Sequence, residues 1–338
     1  MIVELDAAPD VVAVVPTLGG NTPRLLGCLE SVTASEFAGR LAVVVVWNDP
    51  RRPVPELGDV TVLEPGLNLG FPGALNHARS RVDASFLWVL QDDIVVDPDC
   101  LARLWETTLR DDTLAVVSPV TTTAEGLVPA RSRGGVLAGD GEMAHMFPRV
   151  DTEPDQLDPN YPLSWVASSA SLVRLTAWDA VGGYDPAFYP LLWSDVDFGY
   201  RVGRAGFSSA LEPSARIEHE VNASTPGILS RYLGSVQPER FRRKNFLKEA
   251  AGGDVNVDQR ILVQVARSAS LGMIDLASFA SAVDSERLGE IRRRDDALLE
   301  VESRRAALEG ELLRLRATLS WRVTAPLRAV RRLGRGRR

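Results

Sequence analysis

The chain has 338 residues, of which 45% are apolar and 25% charged, so it has enough apolar side chains to bury a full core in one or more domains. This composition excludes an intrinsically disordered or collagen-like chain. The formal net charge is −7, yet residues 311–338 contain nine arginines and one glutamate, so the rest of the chain is strongly acidic. An acidic body argues against nucleic acid as a ligand, whereas the arginine cluster suits an anionic membrane surface.

The N-terminal sequence MIVELDAAPD lacks the basic and apolar regions of a secretory signal, which predicts a cytoplasmic protein. The apolar stretch at 261–283 contains Arg267 and Asp275, so no transmembrane helix is expected. With its basic end, the chain fits a peripheral position on the inner face of the cell membrane. Cys28 and Cys100 each lie in a helix-like apolar pattern, which is typical of core residues in a reducing compartment.

Short apolar runs alternate with helical patterns from residue 10 to about 121. Strands are predicted at VVAVVP, LAVVVVW, VTVL, FLWVLQ and LAVVSPV. One helix is predicted after Asn21 or Thr22, with Pro23 at its first position, and another at DPDCLARLWETTL. The alternation predicts an α/β fold with a mostly parallel central sheet and flanking helices.

The second half of the body is less regular. Residues 125–164 are rich in Gly, Pro, Asp and Ser, which predicts long loops or short antiparallel strands. WVASSASLVRL predicts a strand, TAWDAVGGYD a short helix, and FYPLLWSDVDFGYRVGRAGF a loop leading into a helix that ends near Gly206. SSALEPSARIEHE predicts a strand pair, or a strand and a loop, and PGILSRYLGSVQPERFRRKNFLKEA a further helix. Together these elements predict one domain over 1–250.

Beyond it, the sequence predicts a C-terminal helical extension, with a helical linker at 251–283 and an amphipathic or coiled-coil helix with a basic tail at 284–338. Leucine, isoleucine and valine recur on two heptad positions, but Arg294, Arg305 and Arg322 interrupt the seam. A coiled coil that joins copies into a homo-oligomer and a single amphipathic helix packed on the body fit equally well. The final segment fits either a membrane-surface helix or a disordered basic tail.

The run FLWVLQDD is an apolar strand that ends in two adjacent carboxylates, Asp92 and Asp93. Open α/β sheets bind ligands at the carboxyl ends of their strands. A buried strand has no folding reason to end in uncompensated negative charge, which a divalent cation bridging to phosphate would balance. Asp93 is therefore the predicted metal ligand, with Asp92 beside it. The alternative is that Asp92 or Asp93 caps the next helix, but Asp97 and Asp99 are better placed for capping it.

In LLWSDVDFGYR, Asp195 and Asp197 fall in the first turn of a predicted helix, where the helix dipole favours carboxylates for structural reasons alone. Arg201 can pair with Asp197, which leaves Asp195 to accept the proton of an attacking sugar hydroxyl. Trp193 offers an aromatic face for a sugar ring. His219 follows a strand-like run, and its spacing alone fits a structural role and a metal ligand equally.

The segment LNLGFPGALNHA places small residues and amides at a loop-to-helix junction. Such a junction permits close approach of backbone to a phosphate group, although a glycine turn before an ordinary helix explains it as well.

Taken together, the segments from Val11 to Ser224 resemble family 2 glycosyltransferases, particularly the rhamnosyltransferase-like and galactofuranosyltransferase-like branches. The resemblance implies the GT-A fold, which is Rossmann-like. It also implies Asp195 as catalytic base and Asp93 and His219 as ligands of Mg²⁺ or Mn²⁺. Implied contacts of the nucleotide-sugar donor are Pro16, Thr17, Asn48, Asp49, Asn68, Gly70, Phe71, Asn76 and Asp92. Implied acceptor contacts are Trp165, Ser168, Trp193 and Asp197.

Three positions depart from the family pattern. Gln91 replaces the first Asp of the Asp-x-Asp motif, Ser194 replaces the Glu of Glu-Asp-x-Asp, and Trp47 stands where an Asp is common.

The predicted function is inverting, metal-dependent transfer of a sugar from a dTDP- or UDP-sugar, rhamnose being favoured, to a glycan or lipid-linked acceptor in bacterial cell-envelope polysaccharide biosynthesis. Two alternatives are a nucleotidyltransferase and a catalytically inactive GT-A scaffold in a polysaccharide assembly complex. The first loop, PTLGGNTPR, has only Arg24 as a basic residue, which disfavours the nucleotidyltransferase. Gln91 and Ser194, which depart from the family pattern, are the residues that keep the scaffold alternative open.

Overall fold

The computed structural model describes residues 9–122, 126, 128, 134–137, 143–145, 153–219 and 227–246. The chain divides into two compact units, and these residues all belong to the first, Met1–Phe279. The predicted linker at 251–283 and the predicted helix and basic tail at 284–338 lie outside the described residues.

The strands and helices follow one another in the predicted order. They are β1 (Val11–Thr17), α1 (Thr22–Thr33), β2 (Leu41–Trp47), β3 (Thr61–Leu63), α2 (Gly70–Arg79), β4 (Phe86–Leu90), β5 (Ile94–Val96), α3 (Cys100–Leu109), β6 (Leu114–Thr122), β7 (Gly135–Leu137), β8 (Met143–His145), β9 (Ala170–Arg174), α4 (Leu175–Val181), α5 (Ser194–Arg204), β10 (Ser208–His219) and α6 (Gly227–Asn245). β5 is added to the predicted elements, and β7 and β8 are short antiparallel strands in the region 125–164, one of the two alternatives predicted there.

Eight strands form one sheet in the order β3-β2-β1-β4-β9-β6-β10-β5, and β7 pairs with β8 separately. The first four strands of this order are parallel to one another, and β10 is parallel to β6. β9 runs antiparallel to both of its neighbours, and β5 runs antiparallel to β10. The predicted α/β class with flanking helices is confirmed, and the sheet is mixed, being parallel in its first half.

Helices cover both faces of the sheet. On one face, alternate residues of β1 pack with α1 and α3, and Cys28 and Cys100 are buried free thiols of this cluster, as predicted. On the other face, the intervening residues pack with α2, α4 and α5. Because both faces are covered, β1 is buried at every position, which explains its continuous apolar run.

Some boundaries differ from the sequence prediction. β9 begins at Ala170 and not at Trp165, since the residues before it form part of the site described below. SSALEPSARIEHE forms one strand, β10, with an irregularity between Glu212 and Arg216 in place of a turn. Within the part of the chain that the structure describes, no helix is long and apolar enough to cross a membrane.

Candidate active site

The first of the two carboxylates after β4 is anchored to β1. Thr17, the last residue of β1, donates its hydroxyl to Asp92 Oδ2 at 2.5 Å, and Arg24 Nη2 lies 3.7 Å from Asp92 Oδ1. Burial raises the pKa of Asp92 above its ordinary value, and the Thr17 hydrogen bond opposes the rise. Asp92 therefore joins the ends of two parallel strands. Its bond to Thr17 was not predicted, because the two residues lie 75 positions apart.

The second carboxylate, Asp93, meets His219. Ile94 of β5 pairs with His219, the last residue of β10, so the two strands bring these side chains to one place. His219 Nε2 lies 3.2 Å from Asp93 Oδ1. This oxygen is buried and accepts no hydrogen bond from any residue that the structure describes. A buried acceptor beside an imidazole nitrogen, without a hydrogen bond, fits a place where a cation binds.

Among the described residues, no group of three or more His, Cys, Asp and Glu side chains forms a metal site. Of the described residues, Asp93 and His219 are the predicted ligands, and they would offer one oxygen and one nitrogen. That number suits Mg²⁺ or Mn²⁺ bound with a substrate diphosphate, because such ions commonly keep waters and phosphate oxygens in the remaining positions.

Asp195 occupies the first turn of α5. Its Oδ1 accepts the backbone N–H of Val196 at 2.9 Å. Burial raises the pKa of Asp195 to about 6, although backbone N–H groups, including those of Val196 and Ser168, oppose the rise. The two residues before α5, Leu192 and Trp193, have positive φ angles of 68° and 64°, which side chains other than glycine rarely adopt. Such backbone strain is concentrated at functional sites.

Asp195 and the Asp93 pair lie at the same edge of the sheet. The antiparallel pairing of β4 with β9 ends at Leu90 and Ala170. Asp93 follows β4 beyond this last pair, and Ser168 precedes β9 at the same end. Because the backbone N–H of Ser168 donates to the Asp195 carboxylate, Asp195 also lies at this edge. The arrangement brings together an acid with a raised pKa and a pair of potential cation ligands.

Asp197 does not fit its predicted role as an acceptor contact. Its side chain is fully buried, and Arg201 Nε donates to Oδ2 at 2.7 Å. Lys244 of α6 donates to Oδ1 at 2.6 Å and also lies 2.7 Å from Asp185. With both oxygens bonded inside the protein, Asp197 has a structural role. The Arg201 pair was predicted from spacing, whereas Lys244 was missed because it lies 47 positions away.

The predicted donor positions lie in two loops, one directly after β2, at Asn48, and one directly before α2, at Asn68. Asn48 Oδ1 accepts the backbone N–H of Leu69, and Asn68 Oδ1 accepts that of Gly70 at 2.8 Å. Gly70 has φ +66°, and a Cβ there would lie 2.8 Å from the Pro190 carbonyl oxygen, so only glycine fits. The start of α2 thus packs directly on the segment that leads to Asp195.

Other predicted donor contacts are already engaged within the protein. The amide of Asn76 bonds at both ends to the Tyr184 backbone, at 2.7 and 3.0 Å, and so links α2 to the loop after α4; its donor contact stays a prediction. The Asp49 carboxylate pairs with Arg51 and Arg52. Trp47 packs its ring against Gly19, so this departure from the family pattern supports the first loop.

The remaining predicted donor positions differ in exposure. Pro16 is buried within β1, and Phe71 is half-buried with its ring edge-to-face on Tyr184 at 6.2 Å.

Aromatic side chains pack beside the first turns of α5, the helix that carries Asp195. Trp165 is buried, and its Nε1 has no hydrogen-bond partner among the described residues. Trp193 is half-buried, and its ring lies 5.6 Å from that of Phe241 of α6. The partly exposed ring of Trp193 suits stacking on a sugar.

The chain is similar to known proteins in sequence and in fold. Residues 9–234 match the family described as glycosyltransferase like family 2. Over 236 residues, the chain is 29% identical to N-acetylglucosaminyl-diphospho-decaprenol L-rhamnosyltransferase of Mycobacterium tuberculosis, strains CDC 1551 / Oshkosh and H37Rv, covering 64% of this chain and 76% of the relative.

Two solved structures are similar in fold. The crystal structure of GalNAc-T7 with UDP, GalNAc and Mn²⁺ aligns with a TM-score of 0.50 at 13% identity, over 81% of this chain and 58% of that one. The mannosyltransferase PcManGT from Pyrobaculum calidifontis, in complex with GDP-Man and Mn²⁺, aligns with a TM-score of 0.49 at 16% identity, over 86% of this chain and 81% of that one.

Proposed function

Because the chain belongs to glycosyltransferase family 2 and has the GT-A fold, we propose that it is a metal-dependent, inverting hexosyltransferase. Its donor is a dTDP- or UDP-sugar, and its acceptor is a hydroxyl of a lipid-linked saccharide or growing glycan of the cell envelope. The names of the M. tuberculosis relatives favour L-rhamnose as the sugar and a polyprenyl-diphosphate-linked acceptor. The observation that carries the proposal is the position of Asp195 at the same sheet edge as Asp93 and His219.

Asp93 and His219 are the residues that would hold a divalent cation. Their fit is supported by the buried Asp93 oxygen, which lacks a hydrogen bond from the described residues, and by its 3.2 Å distance from His219 Nε2. A cation bound there would neutralise the negative charge that grows on the departing diphosphate. Thr17 and Asn68 hold the neighbouring loops in place through hydrogen bonds to Asp92 and to the backbone of Gly70.

Asp195 is the proposed catalytic base. A pKa of about 6 keeps the carboxylate ionised at neutral pH while leaving it basic enough to accept a proton from a sugar hydroxyl. The backbone N–H groups of Val196 and Ser168 fix its orientation. The acceptor hydroxyl attacks the face of the anomeric carbon opposite the leaving diphosphate, so the product has the inverted configuration. Trp193 and Trp165 support the acceptor ring.

The test is a transfer assay with labelled dTDP-L-rhamnose and a panel of UDP-sugars, a polyprenyl-diphosphate-linked N-acetylglucosamine acceptor, and added Mn²⁺ or Mg²⁺. Asp195→Asn is compared with Asp99→Asn, a matched change at an exposed acid that pairs with Arg103. Asp195→Asn is expected to lower kcat about 10³-fold with donor affinity nearly unchanged, because only the base is lost. Asp99→Asn is expected to behave as the unchanged chain.

Preserved turnover in Asp195→Asn would contradict the assignment of the base. If the unchanged chain uses no nucleotide sugar but still binds one, the inactive-scaffold alternative replaces the proposal. Incorporation of a nucleoside monophosphate into product would identify a nucleotidyltransferase instead.

A further inference from the structure

We infer that helix α6 positions the catalytic base, and that Gln237 is its principal positioning residue. The inference rests on the proposed function, in which Asp195 is that base. The match to the family ends at residue 234, whereas the α6 side chains that contact the loop before Asp195 come after that point. The residues that set this loop therefore lie beyond the part of the chain that the family match covers.

Gln237 contacts the loop at its centre. Its side chain is fully buried, and Nε2 donates to the carbonyl oxygens of Tyr189 and Leu191, both at 3.3 Å. Arg240 Nη1 donates to Gln237 Oε1 and to the Ala187 carbonyl oxygen, each at 2.7 Å. Arg240, on the same helix, thus orients the Gln237 carboxamide. The carboxamide bonds to backbone carbonyl groups of the loop, and these would be present whatever side chains the loop carried.

Lys244 holds the two ends of the same loop. Its ammonium group bonds to Asp185 at 2.7 Å and to Asp197 at 2.6 Å, residues that lie on either side of the Gln237 contacts. Burial alone would raise the pKa of Asp185, but the hydrogen bond from Lys244 brings it below its ordinary value. One helix therefore fixes the segment 185–197 at both ends and in the middle.

The loop needs this support because its backbone is strained. Leu192 and Trp193 directly follow the Gln237 contacts, and both have positive φ angles. Residues in this conformation persist only where surrounding contacts determine them. Asp195 comes two residues later, so relaxation at Leu192 and Trp193 would move the carboxylate away from the acceptor, and small displacements of a reacting group cost large factors in rate.

The test uses the full chain with Gln237→Met, which keeps the side-chain length and removes the donor. Glu239→Gln is the matched control, because Glu239 lies on the same helix and pairs only with Arg242 and Arg243 among the contacts described. Kinetics are expressed per nucleotide-binding site, counted by calorimetric titration with the nucleoside diphosphate and Mn²⁺, so that any unfolded fraction is removed from the comparison.

Gln237→Met is expected to lower kcat 10- to 100-fold with donor KM changed less than about twofold, while Glu239→Gln changes neither. A kcat per binding site within twofold of the unchanged chain would overturn the inference. Hydrogen exchange gives a readout that needs no turnover: amides of 189–197 should exchange faster in Gln237→Met while those of β4 do not. If the unchanged chain is inactive but this local change in exchange appears, the proposed function fails and the positioning role stands. If Gln237→Met changes the exchange of 189–197 and of β4 equally, the positioning role is refuted.

Discussion

Asp195, the proposed catalytic base, is buried, and this sets the expected response of transfer to pH. Its pKa is raised to about 6, and the base works only when ionised. Transfer should therefore fall as pH decreases through about 6 and reach a plateau above it. The measurement is kcat from pH 5 to 8 with saturating substrates. A profile that is flat down to pH 5 would show that a different group limits the reaction.

The same pKa predicts an effect on folding. The unfolded chain releases the Asp195 proton near the ordinary value of 3.8, whereas the folded chain holds it to about 6, so stability from this group is present below about 4 and is lost as pH rises through 6. Asp195→Asn should therefore raise the free energy of unfolding at pH 7.5 by about 1–2 kcal/mol. Urea unfolding at pH 7.5 and pH 4 measures the difference, which should vanish at the lower pH.

At the level of single residues, some site positions could be predicted from local pattern and others could not. Asp93 and Asp195 follow from where an apolar strand ends and where a helix begins. The structural role of Asn76 depends on Tyr184, 108 positions away, and the bond between Lys244 and Asp197 spans 47. Such partners meet only through tertiary packing, which spacing along the chain does not encode.

The contact between the start of α2, after the β3–α2 loop, and the segment before α5 depends on the absence of a side chain at Gly70. Gly70→Ala would force a Cβ to within 3 Å of Pro190 at a positive φ, and should lower the free energy of unfolding by about 2 kcal/mol or more. Gly27→Ala is the control, since Gly27 lies in α1 with no atom within 4 Å of the added Cβ, and should be neutral or stabilising by up to about 1 kcal/mol. Thermal and urea unfolding compare the two, and equal effects would refute the packing argument.

Asp197 links α5 to α6, and its loss should separate them. Asp197→Asn keeps the shape but leaves Arg201 and Lys244 without their buried carboxylate partner, which should cost about 2–3 kcal/mol. Urea unfolding gives the value. A change below about 0.5 kcal/mol would mean that solvent replaces the carboxylate.

Elements with long apolar runs were predictable, and short ones were not. β1, β2 and β4 are buried on both faces, so their sequences are continuously apolar. β5 has three residues, too few for a periodic pattern, and it is recognised only through its pairing with β10. The antiparallel direction of β9 was not predicted either, because it depends on the connections around that strand and not on its own residues.

For the molecule as a whole, removal of divalent cations should abolish transfer. EDTA is expected to reduce the rate to background, and excess Mn²⁺ should restore it. His219→Ala should raise the Mn²⁺ concentration needed for half-maximal rate at least tenfold, because one of two protein ligands is lost. Activity that persists after EDTA treatment would exclude the proposed role of Asp93 and His219.

The arginine-rich segment at 311–338, in an otherwise acidic chain, also predicts binding to anionic membrane surfaces. We propose that the full chain binds vesicles containing phosphatidylglycerol but not vesicles of phosphatidylcholine alone, and that 0.5 M NaCl weakens this binding. Vesicle sedimentation measures it. Equal binding to both lipids would remove the electrostatic basis of the proposal.

The two consecutive left-handed residues at Leu192 and Trp193 have an evolutionary consequence. At Leu192, a laboratory selection for heat resistance would favour glycine, since glycine adopts the same left-handed backbone with less strain. The selected variants would have a higher melting temperature but a lower rate of transfer, because the less strained turn would no longer hold Asp195 in one orientation. Natural sequences selected for rapid transfer should therefore keep a residue other than glycine at this position, although the protein is then less stable.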